Sequence, residues 1–408
     1  MRQGSDVQRM QVANCPFMEA PTTPIDDRLR AALARIDGRG ERRYAIATRP
    51  SSDGRVERAG ARQLDFSSND YLGLAAHPLL TERATEWAAK LGAGARASRL
   101  VTGTLDAHLA VEARIAEFKR CEAALLFPTG WHCNAAVLAA LLKAAPDALL
   151  FTDRLIHASL HAGAVGHRQI RFRHNDLDQL QELLAERADH PGPRLIVTES
   201  VFSMDGDRLD LARLAQIARA SQAFVYLDEA HATGVLGPEG RGLSAEHPGA
   251  ANLVMGTFSK AFGCFGAYVA GSRLLIDYLV NACHGFIFST APPPAVIGAI
   301  DAALDLVPGM DDARAHLLTL GQRLRDRLRD AGISCGASCT QIVPAIVGET
   351  RRALALAEAL ARDGMLVAAI RPPSVPPGTS RVRIALHANH RTGEVDRLAE
   401  AIVAGLSD

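Results

Sequence analysis

The stretch VMGTFSKAFG, Val254–Gly263, sets an apolar run against Gly-Thr-Phe-Ser-Lys, then small residues and a second glycine. A lysine held between a buried strand and a glycine is an unusual place for an ammonium. Buried and unpaired it is costly, so its pKa falls or it is consumed chemically. Schiff-base chemistry uses a lysine of that kind. Taken alone, Lys260 reads as a surface residue after a strand; its surroundings in the sequence change that reading.

Working upstream, apolar runs alternate with helical patterns. Strands are expected at Ala123–Phe127, Ala148–Thr152, Ile170–Arg173, Arg194–Thr198, Ala223–Leu227 and Leu253–Gly256. Helices are expected from Ala135 to Leu142, Asp178 to Arg187 and Leu211 to Ala220. Such alternation predicts an α/β fold with a mostly parallel central sheet covered on both faces. In such sheets ligands sit beyond the carboxyl ends of the strands. His157, Ser203, Asp228, His231 and Lys260 all fall at or beyond those ends, and this convergence is the main argument for a site.

The residue types suit one chemistry. If Lys260 carries an aldehyde cofactor of the pyridoxal type, the ring nitrogen needs an acidic partner, and Asp228 suits it. His231, three residues on, or Ser203 can reach the ring hydroxyl. His157 can stack on the ring. Gly130, Trp131, Thr257 and Ser259 offer N–H groups and hydroxyls to a phosphate, the first two where a strand runs into a helix. A substrate carboxylate needs a guanidinium fork, for which Arg383 and Arg371 are available. Singly, Asp228 reads as a cap and His231 as a loop histidine. Asn69 and Tyr71, in SSNDYLGL, read either as a capped turn or as a loop facing a ligand. The glycine-rich stretch Gly92–Gly103 is not GxGxxG and follows no strand, so a dinucleotide fingerprint is rejected.

Downstream, Phe286–Pro294 reads as a strand-like run before an inter-domain hinge, and Ala295 to Ala331 as a long helical region. Strands at Gln341–Val347, Met365–Ile370 and Ser380–Leu386 and helices at Arg351–Arg362 and Gly393–Leu406 predict a smaller α+β domain. Arg381 and Arg383, two apart, share one strand face. The expected divisions are an N-terminal arm and helix (1–63), a large domain (64–304) and a small C-terminal domain (305–408). Within the arm, Asp26–Ile36 has helical spacing, and about the first twenty residues are expected to be disordered or to precede a true start at Met18.

Charges balance at 45 basic and 45 acidic residues, so nothing points to nucleic acid or an anionic membrane as partner. Seven scattered cysteines, with no CxxC, predict free thiols in a reducing compartment. No signal-peptide core or membrane span is read, and a soluble cytoplasmic protein is expected.

These motifs resemble the α-oxoamine synthase family of pyridoxal-phosphate enzymes. The resemblance rests on SSNDYLGL (67–74), GARASRLVTGT (94–104), TGWHCN (129–134), DRLIHASL (153–160), TESVFSMDGD (198–207), LDEAHATGVLGPEGRG (227–242), GTFSKAFG (256–263) and FSTAPPP (288–294). AIRPPSVPPGTSRVRIAL (369–386) is similar to the biotin-pathway branch, whose members join L-alanine to a pimeloyl thioester with loss of CO2 and the thiol. The resemblance implies a large domain with a mostly parallel sheet, a smaller C-terminal domain, and pyridoxal 5′-phosphate bonded to Lys260. It implies that Asp228 pairs with the ring nitrogen, His157 stacks on the ring, and His231 and Ser203 bind the ring oxygen. Thr257 and Thr290 of the partner subunit would hold the phosphate, so a homodimer with interfacial sites is expected. Asn69 and Arg383 would bind substrate, with Arg371 nearer the acyl portion, and the acyl carrier would be coenzyme A or a carrier protein. Val111, Trp131, Ser259 and Glu41 depart from the family pattern. An aminotransferase or lyase on the same scaffold, a related glycine- or serine-using condensing enzyme, and a non-catalytic partner subunit stay open.

Overall fold

The computed structural model describes residues 22–39, 41–51 and 53–407. The expectations for the first twenty residues, disorder or a start at Met18, lie outside the described residues. Two compact units result, one ending at Leu64 and one beginning at Asp65.

In the first unit, the helix Pro24–Gly38 starts where Thr23 donates through its backbone N–H and hydroxyl to Asp26. Among the described residues, Leu29 and Leu33 on its apolar stripe are exposed. The stretch to Gly60, which in sequence is only polar, holds the strands Thr48–Pro50 and Arg55–Arg58. These pair antiparallel, and the second pairs with Ala61–Asp65. Charged alternation hid them, because nothing in a largely exposed strand demands apolar residues.

The second unit is built on a seven-stranded sheet. Its order is Ala123–Phe127, Ala267–Gly271, Leu253–Thr257, Phe224–Asp228, Arg194–Glu199, Leu149–Asp153, Gln169–Phe172. All strands run one way except Ala267–Gly271, which is antiparallel to both neighbours. Successive residues bury on opposite faces, as the pleat requires. Leu150, Leu195, Val197, Tyr226 and Met255 pack toward Val137, Leu138, Ile276 and Leu279 on one side. Phe151, Ile196, Val225 and Leu227 pack toward Leu180, Leu184, Leu214 and Ile217 on the other. A two-sided parallel sheet reads as continuous apolar runs for this reason.

The antiparallel strand was not expected. It returns from the lysine strand through residues 258–266, closed by Phe258 N–H on Gly266 O at 2.9 Å and Cys264 N–H on Phe258 O at 2.8 Å. Phe286–Pro294 is corrected. Its Phe-Ile-Phe is the end of a short helix, His284–Ile287, which buries Phe286 against Phe127. The expected long helical region is two helices, Pro294–Leu306 and Asp311–Asp330, broken by a turn at Val307–Gly309 containing Pro308. Met365–Ile370 is also two short strands, Met365–Leu366 and Ala368–Ile370. The latter, Ser380–Ala385 and Ile342–Gly348 form a three-stranded antiparallel sheet with Ser380–Ala385 central. No described helix is long and apolar enough to cross a membrane.

Candidate active site

Lys260 sits in the turn after its strand, half-buried, with Nζ 3.4 Å from the Thr257 hydroxyl. Gly263 N–H donates to Lys260 O at 2.9 Å and tightens this turn. Gly263 has φ 63°, and a Cβ there would lie 2.3 Å from Ala75 N, so the lysine turn docks directly onto the chain after SSNDYLGL. Burial pushes the Lys260 amine down, against the pull of Asp228 and Glu199.

Asp228 ends the neighbouring strand and is buried. Its two oxygens are held separately, Oδ1 by Ala230 N–H and Oδ2 by the Asn134 side-chain amide, each at 2.8 Å. Asn134 is fixed in turn by the Tyr226 hydroxyl on its Oδ1 at 2.8 Å, and its amide also donates to Ser159 Oγ at 3.0 Å. Ser159 Oγ lies 2.7 Å from His157 Nδ1. One chain of bonds thus runs from the aspartate to His157. His157 caps a short helix, and its N–H donates to Glu199 Oε1 at 2.5 Å. Glu199 stands beside Asp228 on the next parallel strand. Burial, with Asp228 as neighbour, holds its carboxyl well above the usual range. Burial lowers His157, partly offset by Asp228.

Gly130 opens the helix Gly130–Ala144, capped by the Thr129 hydroxyl accepting from His132 N–H at 3.1 Å. A Cβ on Gly130 would lie 2.7 Å from Thr257 Cγ2. The free N–H groups of a helix start therefore face the end of the lysine strand, which is an anion cradle that only glycine leaves open. Trp131 is 53% exposed, with its ring edge-on to His157 at 5.9 Å. Thr257 is buried, whereas Ser259 is exposed.

The opposite wall comes from the small sheet. Arg383, buried, donates through Nε to Ser203 O at 2.6 Å and through Nη2 to Asn69 Oδ1 at 3.1 Å. Arg381, on the same strand face, donates to Asp205 Oδ1 at 2.5 Å. Tyr71 OH lies 2.7 Å from His231 Nδ1, and burial pushes His231 well below its usual range, helped by Lys260 and Arg383. SSNDYLGL holds capped turns, with Asp70 accepting from Leu74 N–H and Ala75 N–H, and within it Asn69 and Tyr71 reach Arg383 and His231. Arg371 follows the strand Ala368–Ile370, whose last residue pairs with Arg381. Thr290 is exposed and bridges Ser98 in the glycine-rich stretch; none of its described contacts joins it to the lysine site.

Asn134, Ser159 and Glu199, which join Asp228 and His157, were not singled out in sequence. Asn134 and Glu199 stand inside motifs already quoted, but nothing in sequence distinguishes a buried amide that orients an acid from a capping residue. Among the described residues no cluster of three or more His, Cys, Asp or Glu side chains could hold a metal.

His174 clamps the Ser203 loop from behind. It lies 3.1 Å from Asp153 and 2.9 Å from Asp207. Burial opposes its charge, but the two carboxylates outweigh that and hold it at about 10. A histidine raised above its unfolded value stabilises fully below pH about 6.5, and the contribution fades as pH climbs toward 10. We expect the thermal midpoint of His174→Gln to fall less steeply than wild type between pH 7 and 10, the difference amounting to at most about 1.4 kcal/mol per pH unit. Parallel slopes in the two melting series would show that His174 is not charged there.

A buried lysine at strand ends, an oriented acid beside it, a phosphate cradle and an arginine wall define the pyridoxal-phosphate class, and the donors present fit that cofactor. The profile of the aminotransferase class I and II family matches residues 61–402. A Bordetella bronchiseptica protein provisionally named 8-amino-7-oxononanoate synthase is 61% identical over 386 residues, spanning 93% of this chain and 97% of its own. Other relatives, 44–57% identical, carry that name outright. A structure of SPT with PLP internal aldimine superposes with TM-score 0.87 at 27% identity, covering 94% of this chain and 98% of its own. 8-Amino-7-oxononanoate synthase from Francisella tularensis gives TM-score 0.75 at 25% identity, with 85% and 98% covered. The chain belongs to the aminotransferase class I and II family of pyridoxal-phosphate enzymes and, within it, to the α-oxoamine synthases that include 8-amino-7-oxononanoate synthase.

Proposed function

We propose that this protein joins L-alanine to a pimeloyl thioester, carried on coenzyme A or a carrier protein, releasing CO2 and the free thiol and forming 8-amino-7-oxononanoate in the cytoplasm. The observation that carries the reading is the placement of Lys260 and Asp228 beyond adjacent parallel strands, close enough for Asp228 and Arg383 both to act on the lysine amine. Bound there, pyridoxal phosphate supplies an electron sink for charge at the substrate α-carbon. Asp228, oriented by Asn134 and Ala230 N–H, would hold the ring nitrogen. His157 would face the ring, and His231 and Ser203 would bind its oxygen. Gly130, Trp131, Thr257 and Ser259 would hold the phosphate. Lys260, with its amine lowered by burial, would anchor the cofactor and would take and return the substrate α-proton at Nζ. Arg383 and Asn69 hold the substrate carboxylate, and Arg371 stands toward the acyl chain. The segment 305–408 acts as the smaller lobe that carries both arginines.

A homodimer completes the site in this reading. The Ser98–Thr290 bridge links the stretches that carry Leu100, Val101 and Phe288, which are 51, 74 and 76% exposed. A second copy would cover them, bringing Thr290 of the partner subunit to the phosphate. The test is thiol release by the cofactor-loaded protein with alanine, glycine or serine crossed against pimeloyl-, acetyl- and longer acyl-coenzyme A. Release specific to alanine with the pimeloyl thioester is expected. Release specific to another pair would move the pathway while leaving the lysine chemistry in place.

A further inference from the structure

The hydrogen bonds around Tyr71 form a directional chain between two functional groups that the proposed reaction treats separately. Tyr71 is fully buried. Its oxygen lies 3.4 Å from Arg383 Nη2, 3.1 Å from Asn69 Oδ1 and 2.7 Å from His231 Nδ1. An arginine can only donate, so Arg383 gives a proton to the tyrosine oxygen. Asn69 Oδ1 already accepts from the same Arg383 nitrogen, at 3.1 Å. An amide oxygen can take two donors, so the one tyrosine proton has two acceptors in reach, Asn69 Oδ1 at 3.1 Å and His231 Nδ1 at 2.7 Å, and the shorter contact to the more basic nitrogen favours His231. Burial first, then Lys260, Arg383 and His157, pushes the imidazole well below its usual range, which favours its neutral form. A neutral imidazole that accepts at Nδ1 must carry its hydrogen on Nε2. Gln341 donates to His231 O at 2.9 Å and so fixes the backbone from which the ring projects.

We propose that Tyr71 is a positioning residue that relays the hydrogen bond of Arg383 to His231 and so fixes His231 as the Nε2–H tautomer, presenting a donor to the cofactor ring oxygen. This rests on the roles proposed above for His231 and Arg383. Engagement of the substrate carboxylate by Arg383 would weaken its bond to Tyr71, and the change would pass to the donor at the ring oxygen. The tyrosine touches neither substrate nor cofactor; it couples the two ends of the site.

The test uses the cofactor-loaded enzyme in two ways. In Tyr71→Phe, the pH midpoint of the cofactor's visible absorption should shift by about one unit or more. KM for the amino acid should rise roughly tenfold, the scale of one buried hydrogen bond. A wild-type midpoint and KM in Tyr71→Phe, with His231→Gln still shifting the midpoint, would overturn the relay while sparing the role of His231. An unmoved midpoint in His231→Gln would instead overturn the assignment beneath it. If Tyr71→Phe does not fold, nitrogen NMR of histidine-labelled wild type, assigned with His231→Gln, still decides: a bare Nδ1 supports the relay, and a protonated Nδ1 overturns it.

Discussion

Replacing Lys260 with alanine should lower thiol release by about 10⁴-fold or more, the upper range for losing a positioned acid–base group, since its bond to the cofactor is lost as well. The reason is local. Lys260 is the amine whose proton affinity burial depresses, beside Asp228 and Glu199, in a turn that Gly263 locks onto Ala75. No other lysine is placed to replace it. Lys119, its side chain buried, is committed to Glu229 at 2.7 Å. Cofactor binding without a covalent bond should persist, because the phosphate cradle at Gly130 and the acid at Asp228 do not involve the lysine. Near wild-type turnover in Lys260→Ala would remove the lysine from the chemistry.

The second large effect should be on stability. Lys119 and Glu229 form an ion pair with side chains 2% and 0% exposed. Glu229 also accepts from Ser244 N–H at 2.8 Å and Ser244 Oγ at 2.7 Å, and Lys119 donates to Arg241 O. Burial works against the ammonium, yet Glu229 outweighs it and holds Lys119 above its usual range. Glu229→Ala leaves that charge buried without its partner and should cost about 3–5 kcal/mol, read as a lowered urea midpoint of the cofactor-loaded protein. The double variant Lys119→Met with Glu229→Leu should recover much of the loss, since apolar groups of similar volume need no partner. If the double variant were no more stable than Glu229→Ala, the cost would lie in the Ser244 bonds instead. Because Glu229 lies between Asp228 and His231, the same loss should loosen the site.

The sheet and its strand-end site were legible in sequence for a physical reason. A parallel sheet covered on both sides needs unbroken apolar runs such as Ala123–Phe127 and Leu253–Thr257. Polar residues such as Asp228 and Lys260 at the ends of those runs stand out against them. Arg381 and Arg383 were placed on one strand face by spacing alone, and both reach the Ser203–Asp205 loop. Local pattern failed where burial had no periodic signature. Phe286-Ile-Phe looked like a strand because its helix is a single turn, and Arg55–Arg58, charged but for the single buried Val56, looked like a loop.

Sequence by itself thus determined the fold class, the lysine and the acid beside it, because each depends on residue type and on position along a strand. Only the tertiary structure decided which groups orient them. Asn134 turning Asp228, Glu199 buried beside it, His174 held between two carboxylates and Tyr71 lying between Arg383 and His231 all depend on side chains brought together from distant parts of the chain. A hydrogen bond's direction and a carboxyl's protonation are set by such neighbours and by burial, neither of which is written in the order of the residues.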